Sequence, residues 1–389
     1  VFLSVMILNL RKEEELLLLC ARSKMEPEVE VKIRSLAKED LDWDYVVQVA
    51  ERHSLKALLY WQLNGIGYDV VPKEVLKSLK ENFDWNVQKN LLMLGELLRI
   101  FEILKIQNLD VVPYKGPLLS MESYGNLAFR EFCDLDLYLD KADVPRFKKI
   151  LLSEGYEVEP DFDSKREKKY IDTQRELKFT NKKLSLTVEA HWNFQSIFLS
   201  LPAGSSLFDP KDTWINNING VKIIRPSSEE MLLILCIHNA SHRWSRLSWI
   251  CDIKEHVESN HIDWAKIQEK ARKLSIEKIM CINLCLARDL LGLEVPGKVL
   301  ERFENLKIHD LVELLEERLW EEEYESPNLL EEVSYSFKLR NSTLYGIKDV
   351  LKGLTTPTIY EWKHLPLPTY LFPLYYLLRP IFLIKRFQL

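Results

Sequence analysis

Glycine and proline are scarce, at 12 and 16 of 389 residues. That excludes linker-rich, collagen-like and low-complexity architectures. The six cysteines (Cys20, Cys133, Cys236, Cys251, Cys281 and Cys285) include no CxxC pair. A disulfide framework and a zinc ribbon are thereby disfavoured, and reduced, buried thiols of a cytoplasmic protein are expected. No apolar run approaches the roughly 20 residues needed to cross a bilayer. The opening run VFLSVMILNL has no basic segment before it and no A-x-A-like site after it, so no secretory signal is expected. Positive charge is not in excess either: 53 basic against 59 acidic residues give a net charge of -6. Nothing draws the whole chain to nucleic acid, although a local basic groove is still allowed.

What the sequence does hold is Leu-rich amphipathic periodicity, interrupted once. Residues 1–108 read as helical, with Leu91, Leu92, Leu94, Leu97, Leu98 and Ile100 at helical spacing and Asp42 placed to cap a helix starting at Trp43. Residues 109–225 change character. LDVVPYK reads as a short buried strand, Pro117–Tyr124 as a helix, CDLDLYLD as a strand, and VPRFKKILLSEGY as a helix stopped at Gly155. RELKFT and LSLTVEAHW read as strands joined by a turn at Asn181-Lys182-Lys183; FDP suggests a further turn and INGVK a short strand. From 226 to 389 helices return, the first capped by Ser227 or Ser228, with others near 246–258, 262–273, 276–292 and 308–322. The expected class is α+β: a small mixed-sheet core flanked by N- and C-terminal helical regions.

The chemistry lies in the interruption. Side chains on a strand alternate faces. Leu135, Leu137 and Leu139 therefore share one face, and Asp134, Asp136 and Tyr138 the other. Two carboxylates about 7 Å apart along one strand face reach a common divalent cation. On LSLTVEAHW, Ser185, Thr187, Glu189 and His191 share the polar face. If the polar faces coincide, Asp134, Asp136 and Glu189 form a metal-binding cluster whose charges stand uncompensated without a cation. Oxygen donors with at most one histidine select Mg²⁺ or Mn²⁺ over zinc. Lys115-Gly116-Pro117 ends a strand and opens a helix, the setting of a phosphate site. Arg130 is a further phosphate ligand or a partner for an aspartate.

The ordered set of Lys-Gly, Tyr-Gly, Arg, Asp-Leu-Asp-Leu-Tyr-Leu-Asp, Gly-Tyr and Val-Glu-Ala-His-Trp resembles nucleotidyltransferase-fold proteins of the polymerase-beta superfamily. More narrowly it resembles a little-characterised prokaryotic branch. The likeness extends to EELLLLCARS and AERHSLKALLYWQL before the core and HNASHRWSRLSWICDI after it. It implies metal-assisted transfer of a nucleoside monophosphate from an NTP to an acceptor (a small molecule, protein or RNA), with release of pyrophosphate. Carried over, Asp134 and Asp136 bind both metals, Glu189 binds the catalytic one, and Lys115 and Gly116 touch the triphosphate. One departure stands out. The superfamily has Gly-Ser at the phosphate turn, whereas this chain has Gly116-Pro117, so a hydroxyl contact requires Ser120 to reach back. That leaves two rivals: a catalytically silent binding or antitoxin-like module, and a transferase acting on tRNA ends.

Three further stretches carry weaker expectations. His238 and His242 lie four apart on a helix, followed by Arg246 and Trp249. With no third ligand and no HExxH they suggest phosphate contacts or an interdomain contact rather than zinc. KREKK at 165–169 reads as a solvated loop, with an RNA contact as the alternative. The aromatic tail LPLPTYLFPLYYLLRPIFLIKRF at 365–387 is too broken by proline to span a membrane. It is expected to pack on the helical region, with weak contact to a membrane surface as the alternative.

Overall fold

The computed structural model describes residues 10–67, 70–194, 199–202, 205–208, 214–218, 220–306, 308–321, 328–365 and 367–387. Most of the opening apolar run and the Asp209-Pro210 part of the turn expected at FDP lie outside these residues.

Five helices come first: α1 (Lys12–Cys20), α2 (Pro27–Leu36), α3 (Trp43–Arg52), α4 (Lys56–Ile66) and α5 (Lys73–Ile106). Asp42 caps α3, its Oδ1 accepting from Tyr45 N at 3.0 Å. The α+β unit follows: β1 (Val111–Pro113), α6 (Gly116–Ser123), β2 (Asp134–Leu139), α7 (Val144–Ser153), β3 (Glu157–Val158), α8 (Ser164–Thr173), β4 (Glu176–Asn181) and β5 (Leu186–His191). A separate hairpin pairs β6 (Trp214–Ile218) with β7 (Val221–Arg225). Helices then run to the end of the described chain: α9 (Ser228–Ser241), α10 (Leu247–Ser259), α11 (Trp264–Lys273), α12 (Glu277–Leu291), α13 (Gly297–Asn305), α14 (His309–Arg318), α15 (Leu329–Lys338), α16 (Thr343–Thr355), α17 (Ile359–His364) and α18 (Pro373–Phe387).

The sheet has the order β1-β2-β5-β4-β3. Only β2 and β5 run parallel; the other neighbours are antiparallel. The β4–β5 turn is fixed by Asn181, whose side-chain oxygen accepts from Lys183 N at 3.1 Å and Leu184 N at 3.2 Å. One face of the sheet is apolar. Leu135, Leu137, Leu139, Phe179, Val188 and Ala190 pack in one cluster with Leu97, Phe101 and Leu104 of α5 and Phe147 and Leu151 of α7. The three β2 leucines are at most 1% exposed, and each contributes about 1.5–3 kcal/mol by leaving water. The opposite, polar face looks toward α9 and α10. Those helices belong to a second apolar cluster that also holds α1, α3, α4 and α12.

Two expectations about the periphery change. KREKK is not a loop but part of α8. Asp163 caps that helix by accepting from Lys165 N and Arg166 N, and Tyr170 and Ile171 anchor it in the core. Cys133 is exposed, unlike the other five free thiols, which are buried. The tail forms α18, with Pro380 inside it, and its inner side holds the buried Tyr375, Arg379 and Leu383. Arg379 pairs there with the buried Glu361 of α17. Among the described residues no helix is long and apolar enough to cross a membrane.

Candidate active site

The polar face of the sheet floors a cleft of about 400 Å³, lined among others by Lys115, Asp134, Asp136, Glu189, His191 and His238. The register of the two parallel strands builds its floor. Asp136 stands opposite Glu189, and Tyr138 opposite His191, so alternation puts Asp136, Glu189 and His191 on the same side. Asp134 also lines the cleft, but one step further along β2, opposite Thr187.

Asp136 is 4% exposed and is the hub. Lys115 Nζ lies 3.2 Å from its Oδ2. His191 Nε2 lies 3.2 Å from its Oδ1, and the Tyr114 hydroxyl donates to the same oxygen at 3.2 Å. His191 Nε2 is also 3.5 Å from Glu189 Oε2, while its Nδ1 is 3.5 Å from Glu176 Oε2. Lys178 stands 3.7 Å from the other Glu189 oxygen. The expectation that the carboxylates stand uncompensated therefore fails for Asp136. Burial works against its charge, but Lys115 and His191 outweigh burial and hold its pKa well below the usual carboxylate range. For His191 burial again opposes charge, yet Asp136 and Glu189 raise its pKa to about 9. Asp134 behaves in the opposite way. Burial, and then repulsion from Asp136, push its pKa up to about 6.

Asp136, Glu189 and His191 each offer a ligand atom within 4.8 Å of the others, and no other such group occurs among the described residues. The buried His191 Nε2 has no aligned hydrogen-bond partner although two carboxylates flank it. A divalent cation bound between these three residues would replace the proton on that nitrogen, so the residues fit a metal that displaces the His191 proton. The set differs from the expected one: His191 joins Asp136 and Glu189, and Asp134 lies outside it. A nitrogen donor among oxygens shifts the preference from Mg²⁺ toward Mn²⁺.

The remaining expected residues are placed as follows. Gly116 has φ +56°, and a Cβ there would come 3.3 Å from the Asp134 carbonyl oxygen. Its freedom lets α6 start hard against β2. Lys115 also lies 3.4 Å from His238 Nδ1. Burial, and then Lys115, lower the His238 pKa well below the usual value, which leaves a neutral ring able to accept from the lysine. Ser120 does not reach back: it is fully buried, and its hydroxyl bonds the carbonyls of Asn126 and Leu127. Arg130 borders the cleft but forks onto Asp252, Nε to Oδ1 at 2.8 Å and Nη2 to Oδ2 at 2.9 Å. Tyr124 donates to Asp252 Oδ1 at 2.7 Å. This buried network ties the loop between α6 and β2 to α10. His238 meets Trp249 edge-on and His242 lies tilted against it, each at 5.1 Å between ring centres, and the two histidines gather no third metal ligand among the described residues. Arg246 lies 5.3 Å over the Trp249 ring at the rim.

Sequence reasoning did not assign Tyr114, Glu176 or His191 to the site. For His191 the signal was present, since it shares the period-two face with Glu189. Tyr114 precedes the Lys-Gly turn but only the fold turns its hydroxyl toward Asp136.

The chain belongs to a family described as uncharacterised nucleotidyltransferase, whose model matches residues 39–292. It is an enzyme of the nucleotidyltransferase type, with an NTP as its implied substrate. No curated protein and no solved structure matches the chain significantly.

Proposed function

We propose that the protein transfers a nucleoside monophosphate from an NTP to an acceptor in a metal-dependent reaction of the polymerase-beta type. The observation that carries this reading is the Asp136–Glu189–His191 group at the floor of a cleft entered beside the Lys115-Gly116 turn. When bound there, divalent metal supplies charge neutralisation at the triphosphate and at the attacked phosphorus. The side chains do the rest. Lys115, with its partner His238, offers a cation to the phosphates, and Arg246 and Trp249 at the rim offer a flat cationic-aromatic surface to the nucleotide. Asp134, whose pKa burial and Asp136 push up to about 6, is mostly ionised at neutrality and becomes fully so as a cation approaches. In the reaction an acceptor oxygen attacks the α-phosphorus. The bond from that phosphorus to the bridging oxygen breaks, pyrophosphate leaves with the electron pair, and the acceptor's proton passes to water. The protein's contribution is position and charge.

One observation favours the silent-module rival. Lys115 and His191 already neutralise Asp136, so the fold has no electrostatic need of metal. Incubation of the protein with each α-labelled NTP, Mn²⁺ or Mg²⁺ and a low-mass cell extract separates the two. A transferase releases pyrophosphate and gives one extract component the mass of a nucleoside monophosphate. A silent module does neither.

A further inference from the structure

The last helices leave an apolar surface open. Of the large apolar side chains exposed among the described residues, more than half lie between 344 and 384. On α18, Leu374, Leu377, Ile381 and Ile384 recur every three or four residues and form one stripe along the helix. That stripe is opposite the buried side made by Tyr375, Arg379 and Leu383. On α16, Leu344, Ile347 and Leu351 repeat the spacing. The two helices pack on each other, with Arg379 Nε donating to the Gly353 carbonyl at 3.5 Å. Leu344 is 77% exposed and Leu377 72%. Scattered exposed leucines are ordinary, but aligned ones on neighbouring helices mark a surface that something covers.

Negative charge is missing from the same surface. The chain has 59 acids in 389 residues, yet residues 343–387 contain only Asp349 and Glu361. Both are fully buried, and each is held by an arginine: Asp349 by Arg340 at 2.6 Å, Glu361 by Arg379. The segment therefore shows no acid to solvent, whereas Lys348 on α16 and Lys385 on α18 are exposed. Tyr370 and Tyr376 are exposed beside the α18 stripe. A tyrosine joins an apolar ring to a polar tip, which suits the boundary between water and hydrocarbon.

We propose that the outer side of α16 and α18 docks on an anionic lipid membrane. The aliphatic stripes enter the boundary of the acyl chains, the tyrosines sit among the headgroups, and Lys348 and Lys385 meet the anionic lipids. With 15 residues α18 is shorter than the roughly 20 that span a bilayer, and its inner side is committed to α16 and α17, so it lies in the plane of the surface. A second copy of the chain fits worse. A two-fold interface sets one patch against itself, and this patch holds no exposed acid to pair with its lysines. The proposal is independent of the transferase reading, since no residue of the cleft takes part.

The test is sedimentation of the full chain with vesicles of phosphatidylcholine alone and of phosphatidylcholine mixed with phosphatidylserine. The protein should pellet with the anionic vesicles, and less with neutral ones or at raised salt. Leu377→Ser with Ile381→Ser should weaken binding to the anionic vesicles by at least about tenfold, through lost contact with the acyl chains. Both residues are exposed, so the melting temperature should stay that of the parent. Lys348→Glu with Lys385→Glu leaves the apolar stripes intact and should remove the preference for anionic vesicles. Leu91→Ser with Leu92→Ser, at exposed positions of α5, should pellet like the parent. No pelleting with anionic vesicles, equal pelleting with both kinds, or a Leu377→Ser, Ile381→Ser variant that pellets like the parent would each overturn the proposal. So would a dimer in analytical ultracentrifugation that the same variant dissolves, without vesicle binding, which assigns the surface to a second copy.

Discussion

Replacing Asp136 by Asn tests the electrostatics of the cleft. Carboxylates that merely repel one another predict an unchanged or stabilised variant in metal-free buffer. The structure predicts the reverse, because Asp136 is buried between Lys115 and His191. The His191 pKa is about 9 against a usual 6.5. At about 1.4 kcal/mol per tenfold change in proton affinity, its favourable surroundings are worth about 3 kcal/mol. Glu189 keeps a share of that, so losing Asp136 forfeits about 2 kcal/mol through His191. Leaving Lys115 buried without its anion brings the total to about 3–4 kcal/mol. The sign of the pH dependence follows. A raised histidine pKa gives stability that is fully present below pH 6.5 and is lost as pH rises through about 9. The gap between parent and variant should therefore be widest near pH 6 and narrow toward pH 9 and above. Urea unfolding in EDTA across that range measures it. A variant as stable as the parent at pH 6, or a gap that widens with pH, would refute the pairing.

Lys115→Ala should weaken NTP binding by at least about tenfold and, unlike loss of a surface lysine, also cost about 3 kcal/mol of stability, since its side chain is only 10% exposed and paired; calorimetry and urea unfolding read the two effects. Arg130→Ala should lower stability by about 3–5 kcal/mol through the orphaned Asp252, and Arg130→Lys should not restore it, because the fork on both carboxylate oxygens is lost. Truncation after His364 removes Tyr375 and Arg379 and leaves Glu361 buried without its cation, so melting temperature and solubility should fall. A truncated protein of unchanged stability that no longer pellets with liposomes would instead assign the tail to a membrane surface.

The parts of the fold that were readable from residues were those with an unambiguous period. The Asp-Leu-Asp-Leu-Tyr-Leu alternation and the Asn181 turn fixed β2, β4 and β5, and the Ser227–Glu230 box fixed the start of α9. Residues 328–387 do not read as α15–α18 from the sequence, because prolines interrupt the stretch from 357 onward and its buried side depends on distant elements. KREKK looked like loop because a charged run hides its two buried anchors, Tyr170 and Ile171. In the site, alternation gave the polar faces but not which residues stand opposite one another. That depends on β2 and β5 being parallel neighbours, a pairing between segments far apart in sequence. It places Asp136, not Asp134, beside Glu189 and brings in His191. The partner of Arg130 lies on α10, more than a hundred residues away, so only the folded chain identifies it.

On the proposed reading, Asp136, Glu189 and His191 hold a metal on which nucleotide binding depends. Calorimetric titration of each of the four NTPs into the full chain, with Mn²⁺, with Mg²⁺ and with EDTA, tests it most directly. At least one NTP should bind with metal and not in EDTA, and that binding should disappear in Asp136→Asn. Failure of all four NTPs to bind with either metal, or binding of equal strength in EDTA, would contradict it.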